Sequence, residues 1–183
     1  MNITLDITGD GPKYIRIISA IIGNQIENQS LIDLCCAECT ITKQLPFKNK
    51  TYVDVLAWNP NVPNFIQTDV LGDHEVFNNH YDVANCSDGI EHLRPEQGQL
   101  LIERMNKLAN KQILFTPLGP YLVEPNSTIP ESHKSAWYPE DFPGFAAITC
   151  PNWHPTLNVG AFFVWKTHDI EADFERVKAH LIF

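Results

Sequence analysis

The sequence predicts an α/β protein whose central sheet is mostly parallel. Short apolar runs recur along the chain, at 31–34, 52–56, 64–68, 81–86, 112–116, 145–149 and 159–165. These runs are continuously apolar rather than alternating, which is typical of strands that are covered on both faces, as in parallel sheets. Segments with helical periodicity lie between them, and strands that alternate with helices indicate the α/β class.

Three segments carry clear helix signals. In "GDGPKYIRIISAIIGN", Asp10 can cap the amino terminus, Pro12 suits the first turn and Gly23 ends the helix. The segments "QGQLLIERMNKLANK" and "DIEADFERVKAHL" have the same amphipathic period. The predicted apolar faces consist of Tyr14, Ile17, Ile18, Ile21 and Ile22 in the first helix, Leu101, Met105 and Leu108 in the second, and Ile170, Phe174, Val177 and Leu181 in the third.

Length and composition predict one domain. The chain has 183 residues, 44% hydrophobic and 19% charged, so it can bury one sizeable core, and we expect a single domain over 1–183. The formal net charge of −9 disfavours a protein that binds nucleic acid through a wide basic surface. No apolar run approaches the roughly 20 residues of a membrane span, and the amino terminus lacks a secretion signal. We therefore expect a cytosolic protein, whose oligomeric state the sequence leaves open.

Acidic residues stand where several predicted strands end. Asp33 and Asp54 close the first two strands, Asp69 follows the third, and residues 85–92 follow the fourth. Ligands of open parallel sheets bind beyond the carboxyl ends of the strands. An acid at the end of the second strand, roughly 20 residues past a first strand and a tight turn, is the usual way to hold the two hydroxyls of a ribose. The pattern predicts a nucleoside site with Asp54 on the ribose.

These segments resemble the class I S-adenosylmethionine-dependent methyltransferases. The stretch "LIDLCCAECT" resembles the first motif of that family, an apolar strand followed by D-x-G-x-G-x-G, and "TYVDVLAWNP" resembles the second. "FIQTDVLG" is similar to the adenine-binding segment, and "YDVANCSDGIEHL" to the fourth strand and its loop. "QILFTPLGPYL" and "HKSAWYPEDFPGF" are similar to the fifth strand and to the segment before the sixth. The resemblance implies a Rossmann-like, open, mostly parallel seven-stranded sheet with helices on both faces.

The resemblance also implies a cofactor and residue roles. The cofactor is S-adenosylmethionine and the partner a small-molecule methyl acceptor. Asp33 and the backbone of 35–39 are expected at the methionine end, Asp54 at the ribose, and Asp69 with Val70 at the adenine. The full set of implied cofactor residues is Asp33, Cys35, Cys36, Ala37, Cys39, Asp54, Asp69, Val70, Cys86, Ser87 and Asp88, of which the last three border the sulfonium.

Other side chains near the predicted site have two interpretations each. His92 is the implied catalytic base, or else a loop histidine that bonds a neighbouring carbonyl. Trp58 is a candidate to stack on the adenine, or else a rim or core residue. Trp137 and Tyr138 either wall an acceptor pocket or pack in the core.

The sequence departs from the family pattern in the first motif, where Cys35, Ala37 and Cys39 replace three glycines. Glycine permits a positive φ and lets backbone N–H groups approach the ligand. A Cβ in the left-handed conformation costs about 1–2 kcal/mol. The loop therefore either keeps that conformation at this cost or adopts ordinary φ values, and the two sulfurs can fill the space of the methionine tail. The alternative function is a catalytically inactive binding or scaffolding protein with the same fold.

The cysteine cluster allows further interpretations. "CAEC" at 36–39 is a C-x-x-C at the start of a helix after a strand, a setting for thiol redox chemistry. A zinc site that recruits Cys35, Cys36, Cys39 and Cys86 lacks the two spaced ligand pairs of closed structural sites. The plainest interpretation is that these residues are small buried hydrophobes. From the sequence we assign no metal ligand.

Overall fold

The structure, a computed structural model, describes residues 1–58, 61–121, 130 and 132–181. Eight strands form one sheet: β1 (Asn2–Thr4), β2 (Ser30–Leu34), β3 (Asn49–Asp54), β4 (Phe65–Gln67), β5 (Tyr81–Ser87), β6 (Ala109–Pro117), β7 (Ala146–His154) and β8 (Val159–Lys166). The helices are α1 (Gly11–Ile22), α2 (Pro95–Leu108) and α3 (Ile170–His180). The seven predicted strands and the three predicted helices are confirmed, and β1 adds a short strand at the edge.

The strand order is β1-β7-β8-β6-β5-β2-β3-β4. Strand β8 runs antiparallel to β6 and β7, and the other pairs are parallel. The chain progresses outward from β2 to β3 and β4, and then returns to place β5 on the other side of β2. This reversal beside β2 is a topological switch point, where open α/β sheets bind their ligands.

The connections between strands contain less helix than the alternating pattern predicts. Single 3₁₀ turns, Thr42–Gln44 and Glu75–Asn78, lie between β2 and β3 and between β4 and β5. Of the connections between neighbouring parallel strands, only the one from β5 to β6 carries an α-helix, α2, among the described residues. Pro46 follows the first 3₁₀ turn closely, and a proline cannot continue a helix.

Helices cover both faces of the sheet, as predicted. On one face, Ile17 and Ile21 of α1 are fully buried, and Phe174 of α3 stacks on Trp165 of β8 with ring centroids 6.1 Å apart. On the other face, α2 buries Leu101 and Met105 completely. The core therefore consists of two apolar layers, one on each side of the strands. Among the described helices, none has the length and hydropathy needed to cross a membrane.

The carboxyl end of α1 is held by two cations. Lys111 Nζ donates to the carbonyls of Ile21 (2.7 Å) and Ile22 (3.0 Å), and Arg176 donates to those of Ala20 and Ile21. These bonds satisfy the last carbonyls of the helix, where positive charge is also favoured by the helix dipole. The opposite end of α1, with Tyr14, consequently lies at a fixed place beside the carboxyl ends of the strands.

Candidate functional site

The loop after β2 keeps the backbone conformation of a glycine loop. Cys35, Ala37 and Cys39 have φ values of 55°, 45° and 57°, so all three residues at the motif's glycine positions are left-handed. The sequence left open whether this loop is left-handed or has ordinary φ values, and the structure has the strained, left-handed conformation. Cys36 N–H donates to the carbonyl of Val53 (3.1 Å), and Cys39 N–H to that of Cys36 (2.7 Å). These bonds fix the turn and help to offset its strain.

Asp54, the last residue of β3, holds this loop. Its Oδ2 accepts a hydrogen bond from Ala37 N–H and its Oδ1 one from Leu56 N–H, both at 2.9 Å. Asp54 as a whole residue is 7% exposed, yet each carboxylate oxygen keeps a second lone pair. A single buried acid thus links the loops after β2 and β3 and still has acceptor capacity for a ligand.

Asp33, near the end of β2, is buried at 3% exposure. Its Oδ1 accepts from Asn85 Nδ2 (2.7 Å), and its Oδ2 accepts from Thr42 Oγ1. Burial raises the pKa of Asp33 to about 6, although these two hydrogen bonds act in the opposite direction. Asp33 therefore ties β2 to β5 and to the following 3₁₀ turn, and changes its charge near neutral pH.

Two cavities lie on either side of the loop at the carboxyl edge of the sheet. The first, of about 280 Å³, is lined by Cys35, Ala37, Asp54, Val55, Leu56, Trp58, Asp69, Val70, Asp88, Gly89, His92, Leu93, Gln97, Pro130 and Lys134. The second, of about 300 Å³, is lined by Tyr14, Asp33, Cys36, Ala37, Glu38, Cys39, Thr40, Ile41, Thr42, Asn85, Ser87 and Asp88. Ala37 and Asp88 border both cavities, so one elongated ligand can reach across the loop from one to the other.

Comparison with solved structures identifies this architecture. The small RNA methyltransferase HEN1 matches with a TM-score of 0.57 and 15% identity over 90% of this chain, which spans 26% of the HEN1 chain. Magnesium protoporphyrin IX methyltransferase (ChlM) from Synechocystis PCC 6803, solved with bound SAM, matches with a TM-score of 0.55 and 14% identity, over 86% of this chain and 80% of its own.

A SAM-dependent methyltransferase from Archaeoglobus fulgidus matches with a TM-score of 0.55 and 14% identity, over 86% of this chain and 95% of its own. The chain has the class I S-adenosylmethionine-dependent methyltransferase fold. No protein-family model matches the sequence, and no curated protein matches it.

The structure gathers most of the residues that the methyltransferase motifs single out. Cys35, Asp54, Asp69, Val70 and His92 lie on the first cavity. The second cavity collects Asp33, Cys36, Cys39 and Ser87, while Ala37 and Asp88 belong to both. Cys86 is fully buried and lines neither cavity.

The three aromatic candidates lie in three different places within the methyltransferase fold. Trp58 is 46% exposed and lies on the first cavity. Trp137 is buried against Gly98, where an added Cβ would lie 2.4 Å from the indole, and Tyr138 is 45% exposed and lines neither cavity. Trp137 therefore packs in the core, which is one of its two interpretations from the sequence.

Tyr14 is a site residue that the sequence pattern concealed. It belongs to the apolar face of α1 and is 5% exposed, yet it lines the second cavity. Its hydroxyl forms no well-aligned hydrogen bond with the described residues. The side chain of Ser87 is a weak partner for this hydroxyl, and a polar ligand in this cavity would give it a better-aligned hydrogen bond. Only its place in an otherwise aliphatic stripe distinguishes Tyr14 in the sequence.

The turn after β5 brings a second unforeseen residue to the site. The 3₁₀ turn Ile90–His92 is joined to residues 132–135 because Lys134 N–H (2.7 Å) and Ser135 N–H (3.1 Å) both donate to the carbonyl of Glu91. This contact places the ring of His133 against that of His92, with centroids 4.9 Å apart. The two histidines are far apart in the sequence, which offers no signal for their pairing.

The thiols of Cys36 and Cys39 pack against neighbouring side chains and backbone. Cys36 and Cys39 are buried with Tyr52, and both thiols lie near the carbonyl of Ala37, at 3.8 and 3.7 Å. Burial raises the pKa of the Cys36 and Cys39 thiols, whereas a reactive C-x-x-C needs a lowered pKa. In the described part of the chain, the cysteines form no cluster with metal-ligand spacing. The geometry therefore favours the buried-hydrophobe interpretation over redox chemistry or a zinc site.

Proposed function

We propose that the chain is an S-adenosylmethionine-dependent methyltransferase, a single domain over residues 1–183 that acts in the cytosol on a small-molecule acceptor. The observation that carries the proposal is the left-handed conformation of Cys35, Ala37 and Cys39. This conformation is strained for residues with a Cβ. That the loop has the left-handed conformation without the glycines of the family motif supports the binding of S-adenosylmethionine, the ligand of that motif.

The two cavities suggest how the cofactor is divided between them. The adenosine half fits the first cavity, with Asp54 at the ribose hydroxyls and Asp69 and Val70 at the adenine, where Trp58 offers a face for stacking. The methionine half fits the second cavity, where Asp33 and the buried hydroxyl of Tyr14 meet its polar end.

The reacting centre falls where the two cavities meet. Ala37 and Asp88 border both cavities, and Ser87 precedes Asp88, with its hydroxyl 3.2 Å from the side-chain oxygen of Asn85. When bound, the cofactor supplies an activated methyl group on a sulfonium. The chain mainly holds donor and acceptor in line and excludes water. We assign His92, which lines the first cavity, as the base that takes a proton from the acceptor.

Titration with S-adenosylhomocysteine tests the cofactor proposal. Ligand at 100 times its Kd stabilises the folded state by about 2.7 kcal/mol, which raises the Tm by several degrees. We expect this shift for the natural sequence and at least about a tenfold loss of affinity for Asp54→Asn, because charge-assisted hydrogen bonds contribute about 1.5–3 kcal/mol. Glu27→Gln removes the same charge from an exposed turn and should leave the affinity unchanged.

The absence of a shift at millimolar ligand would refute the cofactor proposal. Unchanged affinity in Asp54→Asn would instead refute the ribose assignment alone.

The second candidate is an inactive binding protein with the same fold, which the side chains at all three glycine positions favour. Transfer of labelled methyl from S-adenosylmethionine into a pooled extract of small metabolites separates the two functions. Incorporation supports the enzyme. Binding of S-adenosylhomocysteine without incorporation supports the inactive protein.

A further inference from the structure

Glu91, His92 and His133 lie close enough together to share one ion. One ligand atom from each side chain lies within 4.8 Å of the other two, with Glu91 buried and both histidines half-buried. No other group of three or more His, Cys, Asp or Glu side chains in the described ranges has this spacing. The cluster stands beside the first cavity, because His92 also lines that cavity.

The segment that carries His133 is anchored. Besides the two backbone hydrogen bonds to the Glu91 carbonyl, Lys134 Nζ donates to the carbonyl of His92 (3.1 Å). The indole Nε1 of Trp137 donates to Ser135 Oγ (2.6 Å), and Trp137 itself is buried. The three side chains are therefore held in place by backbone contacts and core packing, as a binding site requires.

Both imidazoles are oriented by backbone carbonyls. Nδ1 of His133 lies 2.8 Å from the carbonyl oxygen of Tyr121, and Nδ1 of His92 lies 3.4 Å from that of Ser132. A carbonyl oxygen can only accept a hydrogen bond, so Nδ1 is the donor in each pair, and Nε2 is the nitrogen of each ring that would bind a metal ion. Metal-binding histidines are typically oriented in this way by their second nitrogen.

Glu91 has an incompletely satisfied oxygen in the same cluster. Its Oε2 accepts from Thr116 Oγ1 (3.0 Å), but its buried Oε1 accepts no well-aligned hydrogen bond from the described residues. The side chain of Asp88 is a second acid that interacts electrostatically with Glu91. A buried carboxylate normally pairs with a cation or coordinates a metal. A cation at Oε1 would satisfy this oxygen and offset the repulsion between the two acids.

We propose that Glu91, His92 and His133 bind one divalent transition metal ion at the edge of the first cavity. Two imidazoles and one carboxylate suit Mn²⁺, Fe²⁺, Co²⁺ or Zn²⁺ better than Mg²⁺ or Ca²⁺, which prefer oxygen ligands alone. Three protein ligands also leave coordination positions open, which is the pattern of a catalytic rather than a structural site.

The open positions suggest the chemical class of the methyl acceptor, an inference that rests on the proposed function. A hydroxyl oxygen that reached this ion would have a lowered pKa and become a better nucleophile. With the ion bound, His92 is a metal ligand and no longer serves as the base. In the transfer, the carbon–sulfur bond breaks with its electron pair going to sulfur, a carbon–oxygen bond forms, and the hydroxyl proton passes to water. The acceptor is accordingly a compound with a hydroxyl group.

Equilibrium dialysis against Mn²⁺ alone tests the metal site. The protein is first freed of metal with a chelator, and bound Mn²⁺ is measured by elemental analysis and electron paramagnetic resonance. Mn²⁺ is the suitable probe because it prefers oxygen and nitrogen to the thiols of the five cysteines. We expect about one equivalent in the natural protein and at least about a tenfold weaker Kd in Glu91→Gln and His133→Ala.

His154→Ala is the matched control, since it removes a histidine from β7, outside the cluster, and should bind Mn²⁺ normally. Failure of the natural protein to retain Mn²⁺ would overturn the metal proposal, even if the variants fold poorly. So would equal binding by Glu91→Gln and His133→Ala, which would place the ion elsewhere. Because no cofactor is present in this assay, its result is independent of the titration with S-adenosylhomocysteine.

Discussion

The backbone N–H of Ala37 donates a 2.9 Å hydrogen bond to Oδ2 of Asp54. Asp54 therefore has two roles: it is the acid expected at the ribose, and it holds the loop in its left-handed conformation. The loop and the pocket are thus coupled: whatever disturbs Asp54 also releases Ala37. Loss of affinity in Asp54 variants consequently includes both a missing ligand contact and a less ordered loop.

Ala37→Gly should stabilise the protein. Ala37 is exposed and has a φ of 45°, so glycine relieves the left-handed strain with little loss of packing. We expect the free energy of unfolding to rise by about 0.5–1 kcal/mol, measured by denaturant titration. Ala20→Gly, the same change inside α1, should lower it by about 1 kcal/mol. A destabilising effect at both positions would show that the loop is not strained at Ala37.

The sequence predicts the strands and the acids at their ends because both depend on local patterns. Continuous apolar runs identify the buried strands, and a parallel sheet brings the ends of β2 and β3 to one edge, so Asp33 and Asp54 could be placed in advance. The φ values at Cys35 and Cys39 could not be predicted, since two backbone conformations are compatible with the same residues. The hydrogen bonds of Cys36 and Ala37 to β3 and its last residue decide between them.

The residues that sequence reasoning missed depend on tertiary contacts. His133 reaches His92 only because residues 132–135 bond to the Glu91 carbonyl and Trp137 packs against Gly98. Tyr14 has the periodicity of a core residue, and its position on the second cavity is a consequence of where α1 docks. Neither relationship is encoded in spacing along the chain, so neither is accessible to pattern analysis.

Gly89→Ala should disrupt the floor of the first cavity. A Cβ at this position would lie 2.6 Å from Cys35 Cβ and 2.7 Å from Cys86 Sγ. We expect a loss of about 1–3 kcal/mol in the free energy of unfolding, with weaker binding of S-adenosylhomocysteine, because overpacking displaces neighbours. Gly11→Ala, where nothing lies within 4 Å of the added Cβ, should change stability by less than about 0.5 kcal/mol. Equal effects of the two substitutions would contradict the close packing of Gly89.

One thiol should react much faster than the others. Cys35 is half-buried on the first cavity, whereas Cys36, Cys39, Cys86 and Cys150 are buried. Burial raises the pKa of Cys150 to about 12, and a hydrogen bond with Cys35, followed by burial, raises that of Cys86. Titration of native protein with a disulfide reagent should show one fast phase that S-adenosylhomocysteine slows. Cys35→Ser should abolish this phase and Cys150→Ser preserve it; a fast phase that survives in Cys35→Ser would contradict the assignment.

Asp33 should make stability depend on pH. Burial raises its pKa from 3.8 to about 6 in the folded state, so the folded protein binds this proton more tightly than the unfolded chain. The stabilisation that this proton gives the folded state is complete below about pH 4 and is lost as the pH rises through about 6. The resulting change in the free energy of unfolding is about 3 kcal/mol. Asp33→Asn removes this dependence. The free energy of unfolding of the natural protein, measured relative to that of Asp33→Asn by urea titration, should therefore fall between pH 4 and pH 7.5, and a difference that stays constant over this range would show that Asp33 does not titrate there.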